Sequence, residues 1–209
     1  MRTIWAVLVA ALLLYRAEAT PDKIALATGS LKHICTMQAI RVDLVVTASH
    51  CVGVPGEEYT VYFVRGVSDV PISATLVWDG SFADYDNAGD IAFLKLDRPW
   101  QYTIPLSEIL PKPGDRLQSV TYAFGIRHWT IETEYIGIRY VARFGWSLLF
   151  RGPVGGGASG AALIKDGKLV GTISSGSDEH RLGVGVPVGT IARALRDLDR
   201  RGPMPQGGR

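Results

Sequence analysis

Three short segments of this chain carry residues that together could break a carbonyl–nitrogen or carbonyl–oxygen bond. In the first, Val45, Val46 and Thr47 lead through Ala48 and Ser49 to His50 and Cys51, so that an apolar run ends in an imidazole. In the second, Asp90 stands at the mouth of the apolar run 91–94. In the third, Gly155, Gly156, Gly157, Ala158, Ser159 and Gly160 form a glycine-rich turn that presents a serine just before the apolar residues 161–164. Taken singly, each has a plain structural reading: a histidine satisfied at a strand end, a turn carboxylate beside Asp79, Asp84 and Asp86, and a flexible linker. Taken together they form a catalytic set. A serine hydroxyl is too weak an acid to attack a carbonyl unaided, so a base must take its proton, and a buried carboxylate must fix the tautomer of that base. Ser159 is then the nucleophile, His50 the base and Asp90 the orienting group. Asp90 is preferred over Asp84 and Asp86 because the apolar strand behind it would dehydrate it. The glycine-rich turn adds the N–H groups of Gly157 and Ser159, the natural donors to a tetrahedral oxyanion. A phosphate loop does not fit, since no Lys-Ser or Lys-Thr pair follows the glycines and no helix begins there.

The elements that must position these groups are short strands. β-Branched and apolar runs predict strands at residues 33–40, 44–47, 59–65, 72–78, 91–96, 117–124, 130–141, 161–165, 168–174 and 181–188. Turn signals separate them, among them Val54-Pro55-Gly56, Asp79-Gly80, Pro113-Gly114-Asp115 and a two-residue hairpin turn at Asp166-Gly167. Helical periodicity emerges only near the end, where Ile191, Leu195 and Leu198 share one face and Thr190 is the candidate cap. A proline-rich connection around Pro105, Pro111 and Pro113 divides two strand-rich halves, which predicts two packed β-barrels or sheets with a cleft between them. The expected division is residues 20–110 carrying His50 and Asp90, and residues 111–201 carrying Ser159 and the helix. The Gly- and Pro-rich residues 202–209 should be a poorly ordered tail.

Composition narrows the function. With 22 Lys and Arg against 20 Asp and Glu, the net charge of +2 gives no basic field suited to nucleic acid. Only two cysteines are present, Cys35 and Cys51, which excludes a disulfide-rich mini-protein and any four-cysteine zinc site and leaves one bridge or two free thiols. No pair of histidines has ligand spacing, and His33, His128 and His180 read as structural or solvated, so neither a metal nor another cofactor is expected. Residues 1–19 read as a secretory leader: Arg2, an apolar run at 4–14, and Ala17-Glu18-Ala19 as the cleavage site. That run is about half the roughly 20 residues needed to span a bilayer, so no membrane association is expected once it is removed. The expected location is secreted or periplasmic.

The order His50, Asp90, Ser159, with the residues around each, resembles the trypsin-like, chymotrypsin-fold serine proteases. Thr47-Ala48-Ser49-His50-Cys51 is similar to the family's histidine motif with Ser49 in place of alanine, Asp90 and its strand match the aspartate motif, and Gly157-Ala158-Ser159-Gly160 matches the serine motif at both glycines and the serine. The resemblance implies an all-β fold of two six-stranded barrels with a C-terminal helix, and an endopeptidase that acts on polypeptides through an acyl-enzyme. It also implies a disulfide between Cys35 and Cys51, worth about 3 kcal/mol on a chain-entropy basis. Substrate would lie against Ser174, Ser175 and Gly176 and enter a pocket with its floor near Pro153, uncharged at Pro153 and Val154, and with walls at Ser174 to Gly176 and around Gly183 to Gly185. With no carboxylate at Pro153 and no histidine at Ile173, a small or medium apolar side chain is expected there rather than Arg, Lys or Glu. One departure bears on activity. Ala158 stands where trypsins carry the aspartate that receives the freed N-terminus, so the serine turn must be shaped in another way, as in bacterial or viral members. A catalytically silent homologue that binds peptides is the alternative from another class, and a small-ester hydrolase a third reading.

Overall fold

The computed structural model describes residues 20–31, 34–65, 68–82, 89–122, 129–177 and 179–205. The leader expected at residues 1–19, together with His33, His128, Asp84 and Asp86, lies outside them. The first barrel is formed by β1 (Thr28–Leu31), β2 (Cys35–Arg41), β3 (Leu44–Thr47), β4 (Glu58–Arg65), β5 (Ser68–Asp79) and β6 (Ala92–Leu96), and it closes in the order β1-β2-β3-β6-β5-β4. The second is formed by β7 (Arg116–Thr121), β8 (Trp129–Val141), β9 (Gly145–Arg151), β10 (Ala162–Lys165), β11 (Lys168–Ser177) and β12 (Leu182–Pro187), and it closes as β10-β11-β12-β9-β8-β7. Every named strand pair is antiparallel. Closure leaves neither sheet with a free edge along its full length, which suits strands joined by short turns. The chain is therefore all-β with two six-stranded barrels and a C-terminal helix, α2 (Val188–Arg201).

Two strands and one helix went unpredicted, for identifiable reasons. Strand β1 reads Thr-Gly-Ser-Leu and carries no apolar pattern, yet all four residues are buried because it is paired with β2 on one side and β4 on the other. Gly29 is needed there: a Cβ would lie 2.4 Å from the Met37 side chain and 2.9 Å from the Tyr62 carbonyl oxygen. Strand β9 buries Leu148 and Phe150 against β8 and β12, but its sequence Gly-Trp-Ser-Leu-Leu-Phe-Arg carries no β-branched residue to mark it as a strand. The helix α1 (Thr20–Ala27) is held by its contacts, Ile24 and Ala27 being buried and the Trp100 indole N–H donating to the Leu26 carbonyl at 2.8 Å. In α2 the expected cap is corrected. Pro187 is the N-cap, so that β12 passes straight into the helix and Thr190 lies within it. At Asp166-Gly167 the expected tight turn forms with positive φ at both residues, 51° and 71°.

Three apolar clusters account for the packing. One fills each barrel, around Phe63, Leu94 and Trp100 in the first and around Leu117, Leu148 and Phe150 in the second. The third lies between them and joins Val46 and Phe93 of the first barrel to Ile164, Leu169 and Val186 of the second and to Ile191 and Leu195 of α2. Burying one such side chain contributes about 1.5–3 kcal/mol, so this seam outweighs the half-exposed Arg41–Asp199 pair, at 2.6 and 2.7 Å, that ties α2 to β2. The near part of the tail is tied down too: the Met204 N–H donates to the Val77 carbonyl at 2.9 Å, and its side chain packs on the seam. Residues 206–209 lie outside the described residues.

Candidate active site

His50 sits in a short 3₁₀ turn, Ser49–Cys51, that follows β3 directly, and Asp90 lies just before β6, the strand paired with β3. Register therefore brings the imidazole and the carboxylate together. The His50 backbone N–H donates to Asp90 Oδ1 at 3.0 Å, and Nδ1 lies 2.8 Å from Oδ2. With the carboxylate accepting, Nδ1 carries the proton and Nε2 is left as a base. Asp90 is mostly covered, with its side chain 15% exposed, while His50 keeps 49% of its side chain open. The hydrogen bond and charge of Asp90 raise the His50 pKa above the ordinary 6.5, against burial and the positive charge of Arg143, which lower it. The turn is stapled behind the imidazole by the Cys35–Cys51 disulfide, which spans 16 residues. Cys35, His50 and Cys51 bring metal-type ligand atoms within 4.8 Å of one another, but both sulfurs are bonded to each other and offer no thiolate.

Ser159 comes from the other barrel, and its turn is docked on β2 through one residue. The Thr36 hydroxyl donates to the Gly157 carbonyl at 2.7 Å and accepts from the Tyr122 N–H at 3.0 Å, while the Thr36 N–H donates to the Ser159 carbonyl at 2.8 Å. Thr47 reinforces this by donating its hydroxyl to the Thr36 carbonyl at 2.8 Å. Gly160 has φ +83°, and a Cβ there would lie 2.2 Å from the Thr36 carbonyl oxygen, so only glycine lets the two barrels approach this closely. Gly157 adopts φ +94°. Neither its N–H nor that of Ser159 is taken up by a hydrogen bond among the described residues. Ala158 is fully buried in the core of the second barrel. Packing and the Thr36 contacts thus shape the turn where trypsins use a buried ion pair.

His50, Asp90 and Ser159 line one cleft of about 1370 Å³ between the barrels. Val154, Ser174, Ser175 and Gly176 line it as well, whereas Pro153 is exposed and Gly157 sits beside it between the lining residues Gly156 and Ser159. The space expected at the wall glycines is taken from inside the protein. A Cβ at Gly176 would fall 2.5 Å from that of Val154, and one at Gly183 would fall 2.1 Å from the Phe150 ring. Two features of the site were missed in the sequence. Asp79, at the end of β5, is buried beneath the histidine turn and accepts from the Ser49 hydroxyl and from Ser81, whose N–H and hydroxyl lie 2.8 and 2.9 Å away. Burial, with a smaller push from Asp90, raises its pKa, and the hydrogen bonds from Ser49 and Ser81 hold it back. An Asp-x-Ser pair closing an apolar strand was the available signal. The other feature is the tip of the β8–β9 ribbon, which reaches over the cleft and for which the sequence holds no motif.

The family model for trypsin matches residues 15–127, a stretch that includes His50 and Asp90 and stops before Ser159. The chain belongs to the trypsin family. Among solved structures, the active form of the Rv3671c protease from M. tuberculosis superposes with a TM-score of 0.71 at 19% identity, covering 90% of this chain and 86% of that one. The inactive form of the same protease gives 0.69 at 19% identity, with 86% and 92% covered. The serine endoprotease from Yersinia pestis gives 0.72 at 18% identity, with 90% and 68% covered. At these identities the likeness is one of fold. No curated protein sequence matches the chain. Among the described residues no helix is long and apolar enough to cross a membrane.

Proposed function

We propose that this trypsin-family protein is an exported serine endopeptidase that cleaves polypeptides through an acyl-enzyme. The observation that carries the reading is the two-point clamp of Asp90 on His50 at the edge of a cleft that Ser159 also lines. Ser159 Oγ attacks the scissile carbonyl carbon as His50 Nε2 takes its proton, and the negative charge on the carbonyl oxygen is received by the N–H groups of Gly157 and Ser159. Protonated His50, steadied by Asp90, hands the proton to the leaving amine as the C–N bond breaks. A water then gives its proton to His50 and attacks the ester, and Ser159 recovers its hydrogen as the acid product leaves.

The substrate backbone runs beside Ser174, Ser175 and Gly176. Past Ile173 the β11 strand pairs only with β12, which leaves a short open edge. Because Val154 occupies the space at Gly176 in the cleft lining, the pocket takes a small apolar side chain. Residues 1–19 act as the export leader, consistent with the Cys35–Cys51 disulfide, a bond that persists in oxidising compartments. The test is Ser159→Ala. It should abolish fluorophosphonate labelling and lower peptide hydrolysis by at least about a thousandfold while the circular dichroism spectrum is retained. Labelling that persists in the variant overturns the assignment, and a wild-type chain that binds peptides but neither labels nor cleaves supports the silent, peptide-binding reading instead.

A further inference from the structure

Strand β8 runs well past the barrel. Residues up to Tyr135 are paired within the barrel, but the last cross-strand pairs of the ribbon, Arg139 with Ser147, Tyr140 with Trp146 and Val141 with Gly145, have no third strand beside them. A projecting two-stranded ribbon is marginal in water unless its side chains pack or serve a ligand. Here it carries large side chains in the open: Tyr140 is 63% exposed and Trp146 56%, in an edge-to-face pair at 6.0 Å. At the tip, the Arg143 guanidinium lies 5.6 Å from the centre of the Phe144 ring. Tyr140, Arg143 and Phe144 all line the cleft that holds His50 and Ser159, and Arg143 is close enough for its charge to reach the imidazole.

The charges in this cleft are unequal in their partners. Asp90 is engaged by His50, and Asp79 is buried and hydrogen-bonded to Ser49 and Ser81. Arg143 has no carboxylate within ion-pair distance among the described residues, although other arginines of the second barrel do: Arg116 pairs with Glu132 and Arg151 with Glu134. A cation held on an aromatic platform beside the catalytic histidine, without an acidic partner of its own, is built to meet a carboxylate on something that enters the cleft.

We propose that the β8–β9 ribbon is a substrate subsite in which Arg143, seated on Phe144, selects polypeptides carrying an acidic side chain close to the bond to be cut. It rests on the endopeptidase reading above and adds the substrate class. The specificity pocket remains apolar, so the acidic residue is at a flanking position. Charge also gives the preference a salt dependence, because an exposed ion pair is screened over about 8–10 Å at ordinary ionic strength.

The experiment uses the full chain and peptides that share one cleavable core and differ by a single Glu-for-Gln exchange, scanned over the four positions on each side of the bond. At one or more of those positions the Glu peptide should have a kcat/KM about two to five times that of its Gln partner at low salt, a ratio that shrinks toward one at 0.5 M salt. Arg143→Ala should erase the ratio and Arg143→Glu should invert it, whereas Arg139→Ala, a ribbon cation outside the cleft lining, should keep it. The same pairs are titrated against Ser159→Ala by fluorescence anisotropy, so that recognition is read without turnover. If the chain labels with fluorophosphonate but no position separates Glu from Gln in either assay, or if the separation survives Arg143→Ala, the subsite is wrong and the endopeptidase stands. If labelling and cleavage fail while binding still separates the pairs through Arg143, the endopeptidase reading falls and the subsite stands.

Discussion

At the scale of the residue, the imidazole of His50 has the clearest consequence. It works as a base only when neutral, and Asp90 raises its pKa above 6.5, so the acid limb of kcat/KM against pH should have its midpoint above that value. Asp90→Asn should move this limb down and cost about a thousandfold or more in rate, because the amide neither stabilises the imidazolium nor secures the Nδ1–H tautomer. A limb that stays in place would show that Asp90 does not set the charge on His50. The same shift has a sign in folding. A histidine with a raised folded-state pKa stabilises the fold most fully below its ordinary pKa and loses that contribution as the pH climbs through the raised value. With half the imidazole in solvent the contribution is small. His50, Asp90 and Ser159, the proposed triad, stood out because each sits in an unusual local sequence. Gly160, for instance, must be glycine to hold φ +83° against Thr36. Arg143 was not legible, since its meaning depends on which residues a ribbon tip overhangs.

At the scale of the element, the histidine turn shows what a strand end can do. β5 closes on Asp79, and that buried carboxylate holds Ser49, the residue before His50, from below. Asp79→Ala would strand the Ser49 and Ser81 donors and should cost about 1–3 kcal/mol in urea unfolding, with the histidine turn loosened. Asp79→Asn keeps an acceptor in place and removes a buried charge, so its stability should stay within about 1 kcal/mol of the parent. The parent and the Asn variant should also differ in slope. Because the folded-state pKa of Asp79 is raised, the parent loses stability as the pH rises through that value, and the amide removes the loss. Equal pH slopes in the two proteins would contradict a buried carboxylate whose pKa is raised on folding. Runs of apolar and β-branched residues revealed most strands, including β3 over its full length. They could not reveal β1, whose burial comes from two flanking strands rather than from its own side chains.

At the scale of the whole molecule, the proposed catalytic groups belong to different barrels, and a thin polar joint runs between them. Thr36 contributes three of the hydrogen bonds across that joint. Thr36→Val retains the shape but loses the hydroxyl, so the Gly157 carbonyl loses its donor and the Tyr122 N–H this acceptor. The variant should melt a few degrees lower and lose about tenfold in kcat/KM, with Thr36→Ser restoring most of both. A loss of stability with kcat/KM unchanged would show that the joint supports the fold without positioning Ser159. The apolar seam around Val46, Phe93, Ile164 and Ile191 holds the barrels together, but dispersion is non-directional and cannot by itself fix a serine turn to within a few tenths of an ångström. The Thr36 hydrogen bonds can.

The sequence by itself determined that the chain is a β-protein with a histidine, an aspartate and a serine in settings suited to acyl transfer, because turn glycines, apolar and β-branched runs and motif spacing are local constraints written in consecutive residues. Tertiary structure alone decided what surrounds those groups. It placed Phe150 and Val154 in the space of the wall glycines, Asp79 beneath the histidine turn and Arg143 over the cleft. Each of these joins segments far apart in the chain, and such contacts follow from how two closed barrels and a projecting ribbon meet in space, which no periodicity records.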